Sequence, residues 1–304
     1  MRTPSRPARQ SGGVRDGVGG MPMATLESAD GASADIYLHG AHVTSWRPAP
    51  DGEERLFLSA RSEFNDRAAI RGGIPVIFPQ FATEGPLPRH GFARTSLWSL
   101  DSLEQRDEGD AVATFTLTDS PATHATWAAE FGLTLTVRVA GARLEVMLGV
   151  ENTGSSPFSF AAALHTYLRV RDAERAEVVG LHGARYRESS APTLLHIDDD
   201  RVVRAAGPVD RVYVNAPRSV MLREPERSLN VEMMDFTDMV LWNPGAEAAR
   251  RLADMEPHGE REMMCIEAAV VQRPIALASG GRWSGRQTLD AAPLTLPPGE
   301  GLAR

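Results

Sequence analysis

Short segments of alternating polarity, separated by turn residues, constrain the fold of this chain more than any other feature. Residues 111–117, 133–139 and 144–150 alternate or are rich in β-branched side chains, and each segment is bounded by Gly, Asp, Asn, Pro or Ser. No sustained apolar period of about 3.6 residues occurs beyond short pieces such as 246–255. The pattern predicts an all-β fold of antiparallel sheets in which helix is a minor component.

The domain organisation follows from length and composition. The 304 residues, 42% of them hydrophobic, can bury a large core, and no composition shift or internal repeat divides the chain. We therefore predict one large β-sandwich domain over residues 21–304. Residues 1–20, rich in Arg, Ser, Pro and Gly, are predicted to be a disordered extension, and they lack the apolar stretch of a secretory signal.

Net charge and cysteine content limit the partners and the compartment. A formal net charge of -8 argues against a general nucleic-acid or anionic-membrane surface, because such partners select broadly basic proteins. The single cysteine, Cys265, excludes an intramolecular disulfide framework and indicates a reducing, cytoplasmic compartment. We expect a cytoplasmic monomer that acts on a small molecule and has no nucleic-acid or membrane partner.

The absence of lysine removes whole classes of chemistry, since all 32 basic residues counted as Lys or Arg are arginine. Schiff-base catalysis, attachment of pyridoxal phosphate and the Walker A motif each need a lysine. Lysine-dependent aldolases, aminotransferases and P-loop NTPases are therefore excluded. The Gly-rich pieces also lack the G-x-G-x-x-G spacing, so no dinucleotide site is predicted.

Residues 71–94 gather three arginines and a histidine among glycines, prolines and apolar residues. Arg71, Arg89 and Arg94 supply planar, permanently charged groups that suit phosphate or carboxylate. The glycines and prolines fix an irregular backbone that can approach a ligand closely. We interpret this segment as a candidate anion pocket, and the alternative is an ordinary loop with solvated arginines.

Two ionisable residues stand on otherwise apolar segments. A strand over residues 158–168 would place His165 on a face with small side chains, which leave room for a ligand, and histidine can exchange a proton near neutral pH. In residues 263–271 the only carboxylate is Glu267, and a buried carboxylate needs a partner, a ligand or a catalytic role. A raised pKa would suit Glu267 to general base catalysis; the alternatives are a structural histidine and a structural ion pair.

Taken in order, the motifs of the chain resemble those of the hexose-6-phosphate mutarotases, the glucose-6-phosphate 1-epimerase branch of the aldose 1-epimerase superfamily. The resemblance extends from about Tyr37 to Leu289. The motifs that carry it are Arg71-Gly-Gly-Ile-Pro75 with Phe78-Pro79, and the segments 87–94, 164–168, 209–213, 241–244 and 265–269. It implies a large antiparallel β-supersandwich that needs no metal or organic cofactor.

The resemblance also implies roles for individual residues. His165 matches the acid that protonates the ring oxygen, and Glu267 matches the base that takes the proton from the anomeric hydroxyl. Ring opening, rotation about the C1–C2 bond and reclosure then interconvert the α and β anomers. Further matches are Asp210 to an aspartate on the sugar hydroxyls and His90 to a second histidine near the ring.

The arginines distinguish the branches of the superfamily. Arg71, Arg89 and Arg94 match positions at which the phosphate-accepting branch holds its substrate, so the resemblance implies glucose 6-phosphate as the substrate. The alternatives are an epimerase of unphosphorylated aldoses and a non-catalytic protein that binds sugar phosphates. A glycoside hydrolase or lyase would need a second catalytic carboxylate opposite Glu267.

Overall fold

The computed structural model describes residues 13–49, 51–106 and 108–291, and these fold into antiparallel sheets with little helix, which confirms the predicted fold class. The α-helices in this part of the chain are α1 (Pro121–Thr126) and α2 (Gly245–Ala249), and 3-10 turns span Val18–Gly20, Ala93–Thr95 and Gly259–Glu262. Within the described ranges no helix is long and apolar enough to cross a membrane. The strands, in chain order, are β1 (Val14–Asp16), β2 (Pro22–Glu27), β3 (Ser33–Tyr37), β4 (His42–Arg47), β5 (Val76–Ile77), β6 (Ser99–Gln105), β7 (Ala111–Thr118), β8 (Phe131–Ala140), β9 (Arg143–Asn152), β10 (Phe158–Leu164), β11 (Tyr167–Arg169), β12 (Glu177–Val179), β13 (Arg185–Glu188), β14 (Ala191–Ile197), β15 (Val202–Val203), β16 (Val209–Tyr213), β17 (Ser219–Arg223), β18 (Ser228–Met234), β19 (Asp238–Asn243), β20 (Met263–Leu277) and β21 (Arg282–Asp290).

The strands of the described residues form three sheets. A small sheet has the order β1-β2-β3-β4. An eight-stranded sheet has the order β14-β13-β16-β19-β20-β10-β5, with β11 also paired to β20, and a nine-stranded sheet has the order β15-β12-β17-β18-β21-β9-β8-β7-β6. Many neighbours in space are distant in sequence, so residues from separate segments meet on the middle strands of each sheet.

The N-terminal boundary of the fold differs from the prediction. β1 pairs with β2 in register from Val14 opposite Ala24 to Asp16 opposite Pro22. The prediction of disorder is therefore wrong for residues 14–20, because backbone pairing to β2 orders a segment that has no apolar pattern of its own. Residues 1–12 lie outside the described residues, and the single domain over residues 21–304 stays a prediction.

The main core lies between the inner faces of the sheets. β8 alternates strictly between buried and half-buried residues over its whole length, as a strand with one covered face requires. Its buried side chain Leu135 packs in one cluster with Phe115 of β7, Leu148 of β9 and Ile266 of β20, all completely buried. Burial of this apolar surface is the main source of stability for such a fold.

The alternation of β20 decides where Glu267 faces. Ile266, Ala268 and Val270 belong to the main core, so the intervening side chains point to the other face of the eight-stranded sheet. There Ala269 packs in a second, smaller apolar cluster. Glu267 therefore projects onto the face of this sheet that is turned away from the main core.

His42, the first residue of β4, couples the stability of this fold to pH. Its side chain is completely buried, and Nε2 lies 2.7 Å from the carbonyl oxygen of Gly72, to which the neutral ring donates. Burial lowers the pKa of His42 to about 4, whereas the unfolded chain titrates near 6.5. A histidine with a depressed pKa contributes stability above the unfolded pKa that is lost as pH falls from about 6.5 to about 4.

His42→Gln should therefore reduce the loss of unfolding free energy between pH 7 and pH 4 by about 3 kcal/mol relative to the parent chain. Denaturant unfolding at several pH values measures this difference. His182→Gln is the matched control, because His182 is exposed. Parallel pH dependences for the parent chain and His42→Gln would contradict the prediction.

Candidate active site

A pocket of about 850 Å³ opens on the face of the eight-stranded sheet that is turned away from the main core. Strands β16, β19 and β20 supply its floor, and the loops that follow β5 and β13 supply its rim. The residues singled out from the sequence all line this one pocket: Arg71, Arg89, His90, Arg94, His165, Asp210 and Glu267. Their individual roles stay predictions.

Glycines let the arginine-rich loop pass close to neighbouring backbone. Gly72 and Gly73 have φ angles of 114° and 61°, a region that side chains strongly disfavour. A Cβ atom at Gly72 would lie 2.3 Å from the carbonyl oxygen of Phe57, and one at Gly73 would lie 2.2 Å from that of Val43. This packing fixes the backbone beside Arg71 and so fixes where that side chain enters the pocket.

His165 and Glu267 are in contact at the floor of the pocket. His165 Nδ1 lies 3.3 Å from Glu267 Oε1, within ion-pair distance but not aligned as a hydrogen bond. Glu267 is only 1% exposed, and its Oε2 has no hydrogen-bond partner among the described residues. Burial raises the pKa of Glu267 well above its usual value, with a further contribution from Asp210.

The pKa of the His165 imidazole is shifted in the opposite direction to that of Glu267. Burial lowers its pKa well below the usual value, and His90, Arg94 and Arg71 lower it further. Interacting groups of this kind titrate as a pair. Both shifts favour a proton on Glu267 over one on His165, because a neutral carboxyl and a neutral imidazole cost least to bury.

Aromatic rings surround His165. The phenol of Tyr167 stacks on the imidazole with ring centroids 4.8 Å apart and planes at 8°, while Trp242 and His90 meet it edge-on at 5.9 and 5.6 Å. His165 and Tyr167 share one face, although the backbone leaves β10 at Leu164 and resumes as β11 at Tyr167. The stacking holds the imidazole in one orientation.

The three arginines differ in how they are held. Arg71 donates from Nε to Asp254 at 3.1 Å and from Nη1 to the hydroxyl of Tyr167 at 2.9 Å. Burial alone would lower the pKa of Arg71, but Tyr167 and Asp254 outweigh it and raise the pKa. The charge of Arg71 is therefore balanced by Asp254, and its hydrogen bond to the hydroxyl of Tyr167 fixes the ring that stacks on His165.

Arg94 is a half-buried cation that lacks a carboxylate partner among the described residues. It donates from Nη2 to the backbone carbonyl of Arg89 at 3.0 Å, and its buried Nε has no partner there. Burial lowers its pKa to about 10, and the positive charges of Arg71 and Arg89 add to the shift. Arg89 itself is exposed at the rim. An uncompensated cation in a pocket is a site for an anion.

Asp210 and His90 present a hydrogen-bond acceptor and a hydrogen-bond donor to the same space. Asp210 Oδ1 accepts a hydrogen bond from the Ser189 hydroxyl at 2.6 Å, and loss of hydration raises its pKa. Burial, Arg94 and Arg89 lower the pKa of His90 to about 2. Its Nδ1 accepts from the backbone N–H of Ala82 at 3.3 Å, so the neutral ring keeps Nε2–H as a donor.

One structural pair at the rim was not found from the sequence. Arg187 of β13 is 2% exposed and donates to both carboxylate oxygens of Glu84, at 2.8 and 2.9 Å, and to Gln272. It ties the loop that carries Arg89 and His90 to the eight-stranded sheet. The only sequence signal for Arg187 was its place on the buried side of a short strand. In a chain with many arginines, that signal does not distinguish Arg187 from the others.

The arrangement combines general acid/base groups with an anion site. A carboxyl and an imidazole in contact can exchange protons with a polar group of a bound molecule, and the arginines can hold an anionic substituent of that molecule. Among the residues that the structure describes, no group of three or more His, Cys, Asp or Glu side chains is placed to hold a metal ion.

Comparison with known proteins identifies relatives over most of the chain. Residues 22–290 match the family model of the aldose 1-epimerases. A protein of Cenchrus ciliaris that carries the provisional name glucose-6-phosphate 1-epimerase is 33% identical over 290 residues, covering 92% of this chain and 88% of its own. A protein of Escherichia coli K12 with the same provisional name is 35% identical over 240 residues, covering 78% and 79%.

Solved structures share the fold. A provisionally named mutarotase from Salmonella typhimurium superposes with a TM-score of 0.85 at 28% identity, covering 93% of this chain and 94% of its own. A galactose 1-epimerase from Lactobacillus acidophilus superposes with a TM-score of 0.72, covering 94% and 99%. At 14% identity the second likeness concerns the fold alone.

Proposed function

We propose, since this chain belongs to the aldose 1-epimerase family and is therefore an isomerase, that it interconverts the α and β anomers of glucose 6-phosphate. The observation that carries the choice of a phosphorylated sugar is the half-buried guanidinium of Arg94, whose buried Nε has no hydrogen-bond partner among the described residues. It lines the same pocket as the His165–Glu267 pair and has no carboxylate partner among the described residues. A phosphate dianion at C6 of the sugar supplies the missing charge.

The proposed reaction is proton transfer at both oxygens of a hemiacetal. Glu267 as carboxylate takes the proton of the anomeric hydroxyl, and His165 as imidazolium gives a proton to the ring oxygen while the C1–O5 bond breaks. The open-chain aldehyde then rotates about C1–C2. In the return step the two residues exchange roles, and the ring closes on either face of the carbonyl.

The remaining polar residues orient the sugar. In this proposal Asp210 accepts hydrogen bonds from ring hydroxyls, and Nε2–H of His90 donates near the ring. Arg94 binds the phosphate directly, Arg89 reaches it from the rim, and Arg71 contributes its charge while it braces Tyr167. We also propose that the protein works as a cytoplasmic monomer with no nucleic-acid or membrane partner.

The decisive experiment follows the anomers of glucose 6-phosphate directly. NMR exchange spectroscopy of the α and β anomers at equilibrium, with and without the protein, gives the catalysed rate after the spontaneous rate is subtracted. Acceleration of glucose 6-phosphate well above that of glucose supports the proposal. Equal acceleration of the two favours an epimerase of unphosphorylated aldoses, and binding without acceleration favours a non-catalytic sugar-phosphate binding protein.

The opposed pKa shifts of the catalytic pair predict a flat pH profile. The one-proton form of the pair persists from the lowered pKa of His165 to the raised pKa of Glu267, so kcat should be constant around neutral pH. The kcat/KM for glucose 6-phosphate should fall below about pH 6 because the phosphate itself becomes protonated there. Rates measured across pH for glucose 6-phosphate and for glucose separate titration of the pair from titration of the substrate, since glucose has no phosphate to be protonated. A kcat that titrates near 6.5 would show an unshifted histidine instead.

A further inference from the structure

Burial of His165 and Glu267 favours the neutral pair, in which the shared proton is on Glu267, the residue that the proposed chemistry needs as a base. For His165 to protonate a ring oxygen, that proton must first pass to Nδ1 so that the ring becomes an imidazolium. The 3.3 Å separation of Nδ1 and Oε1 is short enough for direct transfer once a rotation of the carboxyl group aligns the two atoms as a hydrogen bond. What is missing is a charge that makes the transfer favourable.

The charges around the pair are distributed unevenly. Arg71, Arg94 and His90 all act against a positive charge on His165, and Arg71 reaches it through the Tyr167 hydroxyl behind the stacked ring. Asp210 raises the pKa of Glu267, whereas Arg94 and Arg89 lower it. The charge of Arg94 therefore disfavours an imidazolium and favours a carboxylate, and Arg71 adds to its effect on the imidazole.

We propose that the phosphate of the substrate, once bound at Arg94, moves the shared proton from Glu267 to His165 and so activates the catalytic pair. This inference rests on the proposed function. The proton leaves the Glu267 carboxyl and binds His165 Nδ1, which leaves a carboxylate to accept the O1 proton and an imidazolium whose Nε2–H can protonate O5. The net charge of the pair is unchanged, and no other reactant is needed.

The connectivity of the sugar gives the effect its direction. C5 carries both the ring oxygen and the C6 phosphate, whereas O1 lies beyond the ring oxygen on C1. With His165 at the ring oxygen and Glu267 at O1, the dianion lies on the side of the imidazole. It compensates the arginine charges and attracts positive charge to His165 more strongly than it repels the carboxylate. The phosphate then raises kcat as well as affinity, because it acts on the step that follows binding.

The test divides the substrate into two pieces. D-Xylose carries the reacting hemiacetal without C6 or phosphate, and phosphite dianion stands in for the missing phosphate. We expect phosphite to raise the enzyme-catalysed anomerisation of xylose saturably, by at least about tenfold in kcat/KM, a factor that corresponds to about 1.4 kcal/mol of transition-state stabilisation. Because phosphite can itself catalyse anomerisation in solution, the rate of phosphite with the Glu267→Gln variant is subtracted.

A spectroscopic signature separates proton transfer from simple ordering of the pocket. Infrared difference spectra of the parent chain should lose a protonated-carboxyl band and gain a carboxylate band when phosphite is added. The lost band is assigned to Glu267 if it is absent from Glu267→Gln. Arg94→Met should abolish phosphite activation, whereas Arg282→Met should keep it, because Arg282 pairs with Glu151 on the nine-stranded sheet.

The outcomes are distinguishable. Activation of xylose together with loss of the carboxyl band supports the inference. Rapid anomerisation of glucose 6-phosphate without phosphite activation of xylose, or with a carboxyl band that phosphite leaves in place, overturns the inference and leaves the proposed function intact. No acceleration of glucose 6-phosphate at all overturns both.

Discussion

Glu267→Gln is expected to reduce the anomerisation rate of glucose 6-phosphate by about 1,000-fold, the middle of the usual range for a general acid or base. The amide has nearly the same shape as the carboxyl group but cannot take the anomeric proton. The arginines proposed to hold the phosphate lie elsewhere in the pocket, so calorimetric affinity for glucose 6-phosphate should stay within about threefold of the parent value.

Glu232→Gln provides the control, because Glu232 is an exposed residue of β18. Thermal unfolding of both variants checks that the fold is retained. Turnover that Glu267→Gln leaves unchanged would exclude Glu267 as the base. Loss of binding together with turnover would mean that the carboxyl group holds the sugar rather than acts on it.

Arg94→Met is expected to lower kcat/KM for glucose 6-phosphate on the order of 100-fold, as truncation of one member of a desolvated charge pair usually does. The side chain keeps its apolar stem but loses the guanidinium that lacks a carboxylate partner among the described residues. Glucose has no phosphate, so its kcat/KM should fall far less. Anomerisation rates of both sugars, measured over a range of concentrations, give the two ratios.

Arg282→Met again provides the matched control for loss of one arginine. An equal loss for glucose and glucose 6-phosphate in Arg94→Met would show that Arg94 supports the loop and does not select phosphate. A similar 100-fold loss in Arg89→Met, with little effect of Arg94→Met, would move the phosphate contact to the rim of the pocket.

The strands were predictable because their signal is local. β8 and β9 alternate between buried and more exposed residues, as the polarity of residues 133–139 and 144–150 predicts. β7 matches the predicted strand over residues 111–117, and the ends of all three strands differ from the predicted ends by two residues or fewer. β1 was missed, because its order comes from pairing with β2 and not from its own composition. A pattern within one segment cannot report what a neighbouring strand imposes.

The sequence predicted which residues line the candidate site, but it did not predict how they are arranged. Glu267 was singled out because it is an isolated carboxylate in an apolar run. His165 was singled out because small side chains share its predicted strand face. Their contact at 3.3 Å was not predictable, since about 100 residues separate them and β10 and β20 bring them together. The same holds for Arg187, whose pairing with Glu84 joins residues from two distant segments.

The sequence by itself determined the fold class, the exclusion of lysine chemistry and the set of residues able to carry charge or exchange protons, because these depend on residue type and local periodicity. The tertiary structure alone decided which arginine is compensated by Asp254 and which is not, and in which direction the pKa values of His165 and Glu267 are shifted. Charge energies depend on burial and on distances through space. Both are set only when strands distant in sequence pack together.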